Sequence, residues 1–313
     1  MIKQPEQMDF SNKKFTMIIA GSPGLGKTTL ALSAPNPLLF DFDNGISRVK
    51  AEHRRVTSVV DSYQEFLNDL NTREYKEAES IVIDTGGSLV QTMQPWAQKQ
   101  EPKAARDGRA MFGVIKREFS RLCHQIKNLD GKNLIYVFHT TEVQKGDVIT
   151  QRLSCEGSAK DIVWTPADLG AYMYMSGKDR VIAFTPTDEY FAKGCYGISG
   201  LKTVKELRPG EPNTFLADLF QEARASITQE TEAYAPQRKA YEEAMERGHE
   251  IIAAVANMEQ LLAALEALGG LAHSLTSKRE LVTMLNSRAT DIGAVWNKEK
   301  KQYEQVQSNG KSA

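Results

Sequence analysis

The chain has 313 residues, of which 41% are hydrophobic and 25% charged. That is the composition of a folded globular protein, and it excludes disorder along the whole length. Lysine plus arginine number 39 against 40 for aspartate plus glutamate, a formal net charge of −1. Nucleic-acid binding by bulk charge is therefore excluded, and only a local basic groove remains open.

Between Lys14 and about Phe220, short β-rich runs alternate with amphipathic segments, which predicts an α/β fold around a mostly parallel sheet. The runs are 15–20, 37–41, 80–84, 133–139, 169–175 and 180–185, and the first four are apolar enough to be strands covered on both faces. From about Glu222 onward Ala, Glu, Gln and Leu dominate. Segments 258–268 and 277–285 read as helices, with Gly269-Gly270 breaking the pattern between them. The expected organisation is an N-terminal arm over 1–13, the α/β domain over 14–220, a helical region over 221–304 and a disordered tail over 305–313. The three cysteines (Cys123, Cys155, Cys195) are far apart and form no Cys-x-x-Cys pair, against both a disulfide framework and a structural zinc site. Neither a signal-type leader nor a run of about 18 apolar residues is present. The expectation is a cytoplasmic chain with no membrane contact.

One stretch carries chemistry directly. Gly21-Ser22-Pro23-Gly24-Leu25-Gly26-Lys27-Thr28 is a full G-x-x-x-x-G-K-T, preceded by the strand-like FTMIIA and followed from Thr28-Thr29 by the helix-like TTLALSA. That is the context a phosphate loop requires. Glycines let backbone N–H groups turn inward around phosphate oxygens, and the following helix adds its dipole. In such a loop Lys27 reaches the β- and γ-phosphates while the Thr28 hydroxyl sits on Mg²⁺, so ATP and Mg²⁺ are the expected ligands of residues 21–29. Ile81-Val82-Ile83-Asp84 is an apolar run ending in an acid, and Asp84 is the expected second Mg²⁺ group.

Asp84 is followed by Thr85 rather than a second acid, and the run after the loop helix ends Phe40-Asp41-Phe42-Asp43-Asn44-Gly45. This arrangement resembles the RecA-like recombinase ATPases, in which an acid just beyond the second strand orients the attacking water. The resemblance implies that role for Asp43, with Asp41 as the alternative, although an aspartate stands where the family uses glutamate. It implies a γ-phosphate sensor at His139 or Thr140, which follow the run Leu134-Ile135-Tyr136-Val137-Phe138. The wider pattern from Lys14 to Leu219 is similar to phage RecA-like ATPases. These include single-strand annealing and recombination proteins, often described simply as AAA-type ATP-binding proteins.

From that resemblance come several expectations: a RecA-like P-loop NTPase core with a C-terminal helical extension, hydrolysis of ATP, a ring or filament of identical subunits, and single-stranded DNA as partner in a host cytoplasm. Lys27, Asp43, Asp84 and His139 would form the catalytic group. Two segments would face the DNA, 95–109 with Trp96, Lys99, Lys103, Arg106 and Arg109, and 142–160 with Lys145, Arg152 and Lys160. Basic groups beside an aromatic suit backbone tracking with base stacking. Lys193 would reach the γ-phosphate of a neighbouring subunit, but Gly194-Cys195 follow it where relatives often carry a second basic residue. Two other readings remain, a P-loop kinase acting on a nucleotide or small molecule, and a nucleotide-dependent interaction protein that does not hydrolyse.

Overall fold

The computed structural model describes residues 8–146, 148–155 and 163–305. Contact density divides the chain into two units, residues 9–227 and the remainder, with the division inside one helix.

The first unit is built on strand β1 (Thr16–Gly21), whose six residues are all buried. Its side chains alternate between two cores. Ile18 and Ala20 enter one cluster, Met17 and Ile19 the other, which is the period-2 arrangement of a strand covered on both faces. β2 (Pro37–Asp41) and β4 (Ser80–Asp84) are equally buried. With β3 (Thr57–Val59), β5 (Asn133–Lys145), β7 (Leu169–Ser176), β8 (Asp179–Ala183) and β9 (Leu201–Thr203) they form one sheet in the order β3-β2-β4-β5-β1-β7-β8-β9. Along that order every pairing from β3 to β7 is parallel and β7-β8-β9 are antiparallel, while β6 (Val148–Leu153) pairs antiparallel with β5 off the main path. β5 thus lies between β1 and β4.

Parallel neighbours need crossovers. Helices α1 (Lys27–Ala31), α2 (Tyr63–Asp69), α3 (Arg73–Glu77), α4 (Gly86–Gln100) and α5 (Gly108–His124) lie in them. α4 and α5 bury Leu89, Val90, Met93, Val114, Ile115 and Phe119 in the cluster around Ile18 and Phe40. Leu216, Leu219 and Phe220 of α6 (Phe215–Ala253) enter the opposite cluster, Phe220 stacking on Phe15 at 5.2 Å. This packing carries the unit to 227, beyond the expected boundary at 220.

The second unit, from residue 228, contains α7 (Met258–Gly269), α8 (Ser277–Asp291) and a hairpin of β10 (Ala294–Asn297) with β11 (Gln302–Gln305). Leu261, Leu268, Leu281, Leu285 and Tyr303 are buried together. The hairpin departs from the expectation of helix to 304. Its strands AVWN and QYEQ are too short and polar to announce themselves, and the cross-strand contact of Trp296 with Tyr303 pins their register. Residues 1–7 of the expected arm and 306–313 of the expected tail lie outside the described residues. No helix among those described is long and apolar enough to cross a membrane.

Candidate nucleotide-binding site

The phosphate loop leaves the end of β1 where the two neighbouring strands crowd it. A Cβ on Gly21 would stand 2.4 Å from the Met173 carbonyl oxygen of β7, so only glycine fits. Gly24 and Gly26 have φ of +81° and +82°, a region side chains other than glycine's rarely adopt. Ser22, Pro23 and Gly24 are exposed, while Leu25 packs on the core beneath. Gly26 then hands the chain into α1, which begins with Lys27 and Thr28 followed by Thr29.

Lys27 is buried at 4% exposure, and its ammonium donates to the Ser22 carbonyl at 2.8 Å. Burial pulls its pKa down to about 8, with Asp84 and Asp43 opposing the shift. The Thr28 hydroxyl donates to Asp84 Oδ2 at 2.5 Å, bringing the loop and the end of β4 together. Burial raises the Asp84 pKa, the Thr28 hydrogen bond opposes the rise, and Asp43 and Asp41 reinforce it. Thr28 and Asp84 fit Mg²⁺, an oxygen-seeking cation that keeps waters and takes its remaining ligands from substrate phosphates. The described residues contain no group of three or more His, Cys, Asp or Glu that could hold a metal ion.

The two acids after β2 take different positions. Asp41 is buried, and its carboxylate accepts backbone N–H bonds from Asp43, Gly45 and Ile46 at 3.2, 2.9 and 2.8 Å. It is committed to the turn. Asp43 accepts a hydrogen bond from the Ser88 hydroxyl and lies 3.7 Å from His139 Nε2. The imidazole is the strongest influence holding its carboxyl below the usual range, aided by Ser88 and opposed by burial. His139 lies opposite Gly21 in the β1–β5 register, and its Nδ1 is 3.3 Å from Lys27 Nζ. Lys27, Thr28, Asp43, Asp84 and His139 therefore converge on one spot at the carboxyl ends of parallel strands, where open α/β sheets bind ligands. Thr140, the alternative sensor, is half-buried on β5.

Ser88 was not expected. The signal is local, since Thr85 caps α4 by accepting from Ser88 N, and this fixes the hydroxyl that faces Asp43. Arg180 was also missed. Its guanidinium carbon lies 3.7 Å from where a Cβ on Gly26 would be.

The expected DNA-facing segments are more ordered than loops. In 95–109 only residues 101–107 connect α4 to α5, and Trp96 is half-buried edge-on to Tyr63 at 4.9 Å. Lys99, Lys103, Arg106 and Arg109 are exposed. In 142–160, β5 continues into an antiparallel hairpin with β6 (Val148–Leu153), where Arg152 stands 4.1 Å over the Phe191 ring. Lys145 contributes its backbone to that pairing, and Lys160 lies outside the described residues. Lys193 is half-buried and donates to the Ala167 carbonyl at 2.5 Å, within its own chain.

The sheet order, a phosphate loop leading from β1 into α1, and an acid ending β4 with β5 interposed define a RecA-like P-loop NTPase core. A family described as an AAA domain matches residues 13–196, and the chain belongs to that family, whose fold is that of a nucleotide-binding ATPase. Among solved structures it is similar to the flagellar accessory protein FlaH from Methanocaldococcus jannaschii, at 13% identity over 61% of this chain and 90% of that one, with a TM-score of 0.33. No curated protein matches the chain.

Proposed function

We propose that the protein hydrolyses ATP to ADP and phosphate with Mg²⁺. The observation that carries this reading is the convergence of Lys27, Thr28, Asp84, Asp43 and His139 from four separate segments. Lys27 would bind the β- and γ-phosphates, and Thr28 with Asp84 would hold the metal. Bound Mg²⁺ would supply charge neutralisation on the β- and γ-phosphates. Asp43, kept ionised and oriented by Ser88 and His139, would align the attacking water, a positioning task that needs no strong base. His139 lies 3.3 Å from Lys27 and 3.7 Å from Asp43, which supports reading it as the group that would register a γ-phosphate between them.

The finer reading is a phage-type recombination or annealing ATPase, acting on single-stranded DNA as a ring or filament. Two observations support it. The exposed cations Lys99, Lys103, Arg106 and Arg109 follow the strand that carries Asp84, and the β5–β6 hairpin continues directly from His139. A kinase reading has one observation of its own. A cavity of about 750 Å³ opens beside Asp43 and Ser88, with Gln91, Thr92 and Trp96 on its wall, and would admit a small acceptor.

The test is phosphate release from Mg·ATP without an added acceptor, with and without single-stranded DNA. The expected result is metal-dependent release that DNA accelerates. Bound ATP without any release overturns hydrolysis, and release indifferent to DNA overturns the recombination reading alone. DNA affinity, read by fluorescence anisotropy, should fall with salt by about 0.7 log units per log unit of salt for each phosphate neutralised. Replacing Lys103 and Arg106 together should flatten that slope.

A further inference from the structure

A cavity of about 510 Å³ opens on the phosphate loop at Gly26, Thr29 and Leu30. Asp43, Asp84 and His139 do not line it. The triphosphate's γ end is assigned to those three groups, so this cavity meets the loop where the other end of the nucleotide must leave. Its outer wall comes from residues 204–207 and 211–215, which lie beyond the 13–196 matched by the family. That wall is fixed in place. Asn213 Nδ2 donates to the Thr29 carbonyl at 2.7 Å, and Lys205 pairs with Glu211 at 2.8 Å.

Two buried polar atoms on the cavity wall have no hydrogen-bond partner among the described residues. His53 is 4% exposed, and its Nε2 has no hydrogen-bond partner among the described residues, the Glu52 carboxylate being 3.6 Å away. Arg180 Nε is likewise buried without a partner, and this guanidinium is the one set against Gly26. Buried polar groups are ordinarily satisfied, and exceptions point to an unseen partner. Arg48 and Lys50 add positive charge to the same wall, and Glu206 and Asp218 add negative charge beside the Lys205–Glu211 pair. The volume is in the range of small-molecule sites, which combine apolar walls with a few convergent polar groups.

We propose that the nucleoside of the bound nucleotide occupies this cavity, with Arg180 holding the phosphate beside Gly26 and His53 bonding the sugar or base. On this view the segment 204–215, outside the family domain, sets which base is accepted. The inference rests on the nucleotide-binding reading above, and its test separates the two.

Calorimetric titration with ATP, GTP, CTP, UTP and inorganic tripolyphosphate reads the two ends of the ligand separately. The nucleoside triphosphates should bind at least about tenfold tighter than tripolyphosphate and should differ among themselves, since one satisfied buried polar group is worth about that factor. Leu207→Trp fills the cavity and should remove about tenfold in nucleotide affinity while leaving tripolyphosphate unchanged. His53→Phe should narrow the differences between bases. Arg180→Met should weaken nucleotides and tripolyphosphate together. Retained tripolyphosphate binding shows that the first two variants are folded. Nucleotides that bind no tighter than tripolyphosphate, or that are indifferent to Leu207→Trp and His53→Phe, overturn this proposal and leave the phosphate-loop reading standing. Failure of the wild-type chain to bind either ligand overturns both.

Discussion

The Lys27 ammonium stands 3.3 Å from Nδ1 of His139, joining the phosphate loop to the end of β5. An ammonium only donates, so this contact uses Nδ1 as acceptor, and the ring's other nitrogen, Nε2, lies 3.7 Å from Asp43. His139 therefore links the group that binds phosphate to the acid beyond β2. Under the proposed function, an anion arriving at Lys27 would compete for the same proton donors, and the contact would report an occupied γ position.

Removing Lys27 tests the centre of the site. Lys27→Ala deletes the proposed charge contact to phosphate, and turnover should fall by about 10²–10³. Thermal stability should change little, because the lost hydrogen bond to Ser22 is offset by no longer burying an amine whose charged form desolvation disfavours. Phosphate release and a melting curve on the same preparation check both parts. Normal turnover by a folded variant contradicts the assignment.

Asp43 and Asp41 should separate cleanly. Asp43→Asn should keep ATP affinity and lose about 10²–10⁴ in kcat, the signature of a group acting in the transition state. Asp41→Asn weakens three backbone hydrogen bonds in the turn and should cost about 1–3 kcal/mol in denaturant unfolding. The reverse pattern, with Asp41→Asn stable but inactive, would exchange the two roles.

The pH dependence of binding follows from Lys27. In the free protein its pKa is about 8, depressed by burial. Bound phosphate adds negative charge and raises it. Below pH 8 the free amine already carries its proton, and binding takes up none there. Above pH 8 the free amine is increasingly neutral, so binding takes up a proton and affinity falls as pH rises. Calorimetry near pH 8.5 in buffers of different ionisation enthalpy measures the uptake, and Lys27→Met should abolish it. An unchanged uptake in Lys27→Met places the titrating group elsewhere.

In the second unit, Gly248 lies within α6, and a Cβ there would stand 2.3 Å from a methyl of Leu281. Leu281 is fully buried and has no room to yield. Gly248→Ala gains about 1 kcal/mol of helix propensity and loses about 1–3 kcal/mol to overpacking. The net should be destabilising, read by urea unfolding. A more stable variant would show that the contact relaxes freely.

The phosphate loop was readable because its determinants are consecutive: a strand, the residues 21–28, and a helix that starts at Lys27. The buried strands were readable too, since an apolar run of five or six residues reports coverage on both faces wherever it lies in the chain. The choice between Asp41 and Asp43 was not open to that kind of reading. The two acids are alike and two positions apart, and they differ only in what the turn at Asn44, with φ +50°, makes each carboxylate face. Asp41 turns back to three N–H groups, and Asp43 turns out toward a histidine on β5. The same limit hid Ser88 as a partner of Asp43 and Arg180 as a neighbour of Gly26. Periodicity states which face of an element is apolar. It carries no information on which elements meet, and the Lys27–His139 contact spans 112 positions that only the sheet order β4-β5-β1 brings within 3.3 Å.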